Sequence, residues 1–235
     1  MIIPRSIREA IPDVHREGWP FIAAAVALAL LLGSFWSPAF WLLIIIAGWM
    51  TIFFRNPVRV IPVAPGLVVS PADGRVEPTV RVVPPVELGL GEAPLTRVSV
   101  FMNVFDCHIN RAPVPGRVER IAYKPGKFLS ADMDKASDDN ERNGLVIRTD
   151  SGTRLGVVQV AGLVARRIVC WTREGERLEA GERFGMIRFG SRLDVYLPEG
   201  STVAVHARQR AVSGETVLAF LPGANAAPPY GHRRD

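Results

Sequence analysis

A serine that follows a glycine inside a strand-like run can do more than turn the chain, and Arg188-Phe189-Gly190-Ser191-Arg192-Leu193-Asp194-Val195-Tyr196-Leu197 offers one such pair. With a flexible glycine before it, the Ser191 hydroxyl can approach the Gly190 carbonyl, the geometry an intramolecular N-to-O acyl shift requires. β-Elimination of the resulting ester would cut the chain, and hydrolysis of the dehydroalanine so formed, with loss of ammonia, would leave a pyruvoyl group where Ser191 had been. A bulge or loop is the plain alternative for a Gly-Ser in a strand.

Proton management for such chemistry near neutral pH calls for histidine. Of the four histidines, His15 falls in the leader, His232 in the tail and His206 in a terminal strand with no motif around it. His108 is left as the candidate, with a packed strand residue as its alternative. Cys107 and Cys170 have neither CxxC nor zinc-ligand spacing and are too few for a disulfide framework, which fits a reducing compartment and gives no metal site. Cys107 beside His108 is not read as a nucleophile pair, because adjacent strand residues point to opposite faces.

The elements that must position these residues form two regions. Residues 21–54 carry no charged side chain, and Ser37-Pro38 breaks them into halves, 21–34 and 40–54. Each half is shorter than the ~20 residues of an ordinary spanning helix, so a re-entrant hairpin and two tightly fitted spans are both compatible. Arg5, Arg8 and Arg16 precede this segment and Arg55 and Arg59 follow it, which puts both flanks on the cytoplasmic face of the cell membrane. A cleavable signal peptide fits less well, given the mixed-charge leader and the double length of the apolar run.

Beyond Arg59 the pattern is of short β runs punctuated by Gly and Pro, with a helical piece expected near 164–169 and an amphipathic leader near 6–17. The predicted organisation is a leader (1–19), a membrane-anchoring helical hairpin (20–54), a β domain (55–223) and a disordered tail (224–235). The segments 66–76 and 181–189 have the look of a barrel-sandwich hybrid, so the fold class is mainly β and antiparallel, preceded by a hydrophobic helical hairpin. A net charge of +5 favours an anionic surface or head group, and no aromatic-interleaved basic patch suggests nucleic acid.

Several segments carry a resemblance. Phe53-Phe54-Arg55-Asn56-Pro57, Ser70-Pro71-Ala72-Asp73-Gly74-Arg75-Val76, His108-Ile109-Asn110-Arg111-Ala112-Pro113, the stretch from Asp134 to Asn143 and Gln159-Val160-Ala161-Gly162 stand in the order found in the short bacterial and archaeal phosphatidylserine decarboxylases. The resemblance runs from about Phe53 to Val217. It implies decarboxylation of phosphatidylserine to phosphatidylethanolamine through a Schiff base on a covalent pyruvoyl (pyruvate) group made from Ser191. Gly190 then ends a large β chain (1–190), which pairs as a heterodimer with a small α chain (191–235), with or without further self-association.

The resemblance also assigns Asp73 as the carboxylate that orients the base. Longer members have a second histidine three residues after the first, where this chain has Arg111, and arginine stays protonated. Either His108 serves both self-cleavage and turnover, or self-cleavage relies on strain and water. Arg111 is a candidate for holding the substrate phosphate or carboxylate, with a structural ion pair as the alternative. Arg55 and Arg59 are candidates for lipid phosphates, or simply topological. The rival reading is a membrane-tethered lipoyl or biotinyl-type carrier, suggested by the Asp134-Lys135-Ala136 triplet.

Overall fold

Proline at the first turn of a helix loses nothing, because the N–H it lacks would be unpaired there anyway. Both apolar helices use this device: α1 (Trp19–Gly33) and α2 (Ser37–Phe53) each carry proline within the first two positions. Pro38 therefore opens the second helix, and the break falls just before it, where Phe35 and Trp36 both donate backbone N–H bonds to the Leu32 carbonyl. At 1.5 Å per residue the two helices are about 22 and 25 Å long. With the preceding turn, Arg16–Gly33 is long and apolar enough to cross a membrane, by length and composition.

The helices pack on each other as a hairpin that buries Ala25, Ala29, Ala39 and Ala47, small residues that let the backbones approach. Large apolar side chains point away from that seam, with Phe35 85% and Trp36 66% exposed at its tip. The ends of the hairpin are tied together. Asp13–Val14 pairs antiparallel with Arg55–Asn56, and the Phe21 and Phe54 rings stack 5.6 Å apart. In its described part the leader is thus an extended pair and a 3-10 turn (Arg16–Gly18), not the amphipathic helix expected.

This computed structural model describes residues 13–126, 140–162, 167–188, 191–224 and 231–235. The chain divides into two units, Met1–Val58 and Arg59–Asp235. The second is mainly β, built on a curled antiparallel sheet. Its spatial order runs Arg177–Leu178, Gly116–Lys124, Arg142–Arg148, Arg154–Ala161, Ser191–Leu197, Leu95–Met102, Gly74–Val76 and Arg210–Ala211, with Val80–Val82 also on Leu95–Met102. The Ser191–Leu197 strand is interior, between Arg154–Ala161 and Leu95–Met102.

Strand period two gives that strand two buried faces. Leu193, Val195 and Leu197 enter the main core with Val98, Val100, Leu155 and Val157, whereas Tyr196 packs on the opposite side with Leu88, Val146 and Val158. A small sheet of Arg167–Cys170, Arg183–Arg188 and Ile109–Arg111 abuts it.

Two expectations are corrected here. The piece read as helical near 164–169 is a strand in its described part, where Ile168 and Val169 pair with Ile187 and Met186. Branched side chains suit that pairing. The stretch 224–235, read as a disordered tail, ends in a strand: Gly231–Arg234 pairs with Val60–Val63.

Candidate active site

Ser191 opens the interior strand, opposite Met102 on one neighbour and Ala161 on the other. It is fully buried, and its Oγ donates to the Met102 Sδ at 3.9 Å. It begins the row Ser191, Leu193, Val195, Leu197 that faces the main core, so the hydroxyl lies where an apolar group would otherwise pack. On the other face, Arg192 and Asp194 form a buried bidentate pair (Nε to Oδ1 2.8 Å, Nη2 to Oδ2 3.0 Å). Gly190 and Lys135 lie outside the described residues.

His108 is fully buried just before the Ile109–Arg111 strand, and its carbonyl accepts from the Ile187 N–H (3.4 Å), four residues ahead of Ser191. Its Nδ1 lies 2.9 Å from the Asp106 carbonyl oxygen. A carbonyl only accepts, so Nδ1 carries the proton and Nε2 is the basic nitrogen. Asp106 was not visible as a site residue in the sequence, because it orients the ring through its backbone. Its carboxylate closes the supporting turn by accepting from the Asn103 N–H at 2.9 Å, and it also pairs with Arg210.

Both oxygens of the Asp73 carboxylate accept from the single Arg59 Nη2 (2.9 and 2.8 Å), and Oδ1 also accepts from the Ser213 N–H (2.8 Å). Its turn is fixed by Ser70 Oγ donating to the Ala72 carbonyl (2.7 Å) and by the Arg111 N–H donating to Pro71 O (2.9 Å). Gly74 follows because a Cβ there would sit 2.1 Å from the Phe101 carbonyl oxygen. Asp73 and His108 thus each have a strong partner of their own, and the ring's orientation at Nδ1 comes from Asp106.

Arg111 is 1% exposed and donates to the Gly181 carbonyl (2.8 Å) and to Asp235. Asp235 also meets Arg183 (2.8 Å) and the Arg59 N–H. Burial, then the nearby Arg183, pulls the Arg111 guanidinium below its ordinary value against the opposing pull of Asp235. Burial alone would raise Asp235, but the Arg59 N–H, Arg111 and Arg183 outweigh it and hold its carboxyl below the usual carboxylate range. Arg111 and Arg59 are therefore engaged inside the fold, in ion pairs with Asp235 and Asp73. Arg55, in the other unit, donates to the Ile52 carbonyl at 2.8 Å.

The Asp235 clasp has a measurable consequence. A carboxyl whose folded value is depressed stabilises the fold above its unfolded value of about 3.9, and that stabilisation is lost as pH falls through the lower folded value. Asp235→Asn should lower the urea midpoint at pH 7 by the equivalent of about 3 kcal/mol, as expected for one partner removed from a buried pair. The difference should shrink as the pH is lowered into the acid range below the ordinary carboxylate value. Equal midpoints for the two proteins at pH 7 would show that the clasp contributes nothing.

A family model described as phosphatidylserine decarboxylase matches residues 46–219. The chain is also 54% identical over 215 residues to the phosphatidylserine decarboxylase proenzyme of Nitrobacter winogradskyi, covering 92% of this chain and 87% of that one. The chain belongs to the phosphatidylserine decarboxylase family. It is thus a member of a family of carboxy-lyases and not a lipoyl carrier. Within the decarboxylase matched span, polar residues that the sequence reading left without a role are Asn110, Asn143 and Gln159, all buried. Their signal was present: amides interrupt strand rows that are otherwise apolar, and burying an amide is costly without partners.

Proposed function

We propose that this chain is a proenzyme that cuts itself between Gly190 and Ser191 and then decarboxylates phosphatidylserine to phosphatidylethanolamine and carbon dioxide. The observation that carries the reading is Ser191 itself. In a member of this family, a serine preceded by glycine opens an interior strand, fully buried, with its hydroxyl on a thioether. A thioether is a weak acceptor, so when Cβ becomes the methyl and Cα the ketone carbon of a pyruvoyl group, the loss of Oγ strands no strong hydrogen-bond partner among the described residues. The site therefore suits a pyruvoyl group. Such a group supplies a ketone that condenses with the substrate amine and takes up the electron pair left behind by carbon dioxide.

The chain's own residues manage the protons. His108 Nε2 removes the proton from the Ser191 hydroxyl during self-cleavage and later returns one to the substrate carbon. Asp106 holds the imidazole in the tautomer that both roles require. Asp73, through Arg59 and Ser213, fixes the turn next to Arg111 and so the far end of the Ile109–Arg111 strand that follows His108.

Cleavage need not release the small chain. Its strands Ser191–Leu197, Arg210–Ala211, Val217–Phe220 and Gly231–Arg234 all pair with strands from before residue 190. The two chains should elute as one species in native gel filtration and separate only in denaturant.

The hairpin is read as the membrane anchor, with both flanks on the cytoplasmic face, a reading supported by its tied ends and by the basic residues around it. Arg55, after α2, is the arginine proposed for lipid phosphate. A chain lacking residues 1–58 should still cut itself and turn over dispersed short-chain phosphatidylserine, yet lose roughly 10²-fold activity on vesicles, since an anchor acts through effective concentration. Equal activity of both forms on vesicles would remove the anchor from substrate delivery.

A further inference from the structure

Three segments that carry the family resemblance each contribute one buried amide to a single chain of hydrogen bonds. Asn143 Nδ2 donates to Gln159 Oε1 at 2.9 Å, and Gln159 Nε2 donates to Asn110 Oδ1 at 2.8 Å. Asn110 Nδ2 then points to Met102 Sδ at 3.8 Å, the same sulfur that receives the Ser191 hydroxyl. All three amides are at most 3% exposed.

Stability does not call for amides here. Asn143 continues the row of Leu145 and Ile147, and Gln159 lies between Val157 and Ala161, all members of the main apolar core. Apolar side chains would complete those rows without the penalty of burying polar groups. The backbone makes room for the chain instead. Asn110 pairs with Gly185, where a Cβ would lie 2.9 Å from Gln159 Nε2 and 2.5 Å from the Val169 carbonyl oxygen. A glycine at that crossing lets the Gln159 amide reach Asn110.

The chain also has a direction. Because Gln159 donates to the oxygen of Asn110, the Asn110 NH2 must face Met102 and residue 191. Its acceptor there is a thioether, far weaker than a carbonyl oxygen. We propose that Asn110 donates a hydrogen bond from Nδ2 to the ketone formed at residue 191 in the mature chain, with Gln159 and Asn143 as the positioning residues that fix this donor. The donor polarises the ketone for attack by the substrate amine, as preorganised donors do for developing oxyanions. The proposal rests on the reading of Ser191 as the pyruvoyl precursor.

The test reads the ketone directly. Protein labelled with ¹³C-serine is purified, its two chains are verified by mass, and the ketone stretching band is located by isotope-difference infrared spectroscopy. Asn110→Ala should cut itself as the native chain does, shift the band to higher frequency, react more slowly with phenylhydrazine and lose roughly 10²–10³ in kcat/KM. Gln159→Leu should shift the band the same way with a loss of roughly tenfold, as for a residue acting through another.

An unmoved band in both variants would overturn the proposal, and so would a folded Asn110→Ala chain that stays uncut, since that places the amide in self-processing. If Asn110→Ala does not fold, the Gln159→Leu band decides alone. If the native protein shows an intact serine at 191 and no ketone, the reading of Ser191 itself fails, an outcome distinct from a ketone that ignores both substitutions.

Discussion

Ser191→Ala is expected to remain one uncut polypeptide with no decarboxylase activity. Alanine has no hydroxyl to attack the Gly190 carbonyl, so neither the ester nor the group derived from it can form. The substitution should cost the fold little. Among the described residues the hydrogen-bond partner of Ser191 Oγ is a weak sulfur acceptor, and the residue heads a row that continues through Leu193, Val195 and Leu197 into the apolar core. Loss of activity in a chain of native stability separates the chemical role from a structural one. Denaturing electrophoresis, a urea midpoint and an assay of released carbon dioxide together check it. A cut or active Ser191→Ala protein would refute the assignment.

His108→Ala should slow self-cleavage by roughly 10²–10⁴, so that uncut chain accumulates after expression. Arg111, three residues on, is always charged and is engaged by Asp235 and the Gly181 carbonyl, so it is no base. His108 has its Nδ1 proton held by the Asp106 carbonyl and presents Nε2 as the basic nitrogen. Whatever fraction of the variant does mature should decarboxylate slowly, because the same nitrogen returns the proton to the substrate carbon. A variant that cuts normally but is inactive would confine His108 to turnover. One that cuts and turns over at native rates would remove it from the mechanism.

The parts of the candidate site that were legible in the sequence are those where side-chain type suits the proposed chemistry. Ser191 after Gly190 and His108 among four histidines could be singled out because few residue types attack a carbonyl or move a proton at neutral pH. The β domain was legible for the same kind of reason: alternating and branched apolar runs such as 155–160 and 193–197 have one stable partner, a sheet. Arg59 illustrates the limit. Its partner Asp73 is 14 residues away, and nothing in the local pattern distinguishes an internal ion pair from a lipid-facing arginine.

Asp106 escaped because it acts through a carbonyl that every residue possesses. The strand Gly231–Arg234 escaped because all four of its side chains are exposed, so it has no apolar alternation to reveal it, and its partner strand lies near the other end of the domain. Asn110, Gln159 and Asn143 were visible as motif members, yet their joint role depends on the meeting of two sheets at Gly185, which spacing along the chain does not encode.

The most direct test of the account is the intact mass and terminal sequence of the purified protein in denaturant. The account predicts two polypeptides, residues 1–190 ending in Gly190 and residues 191–235, the smaller beginning with a pyruvoyl group and so blocked to amino-terminal degradation. An active protein that is a single chain, or whose small chain reads as an ordinary serine at 191, would contradict it.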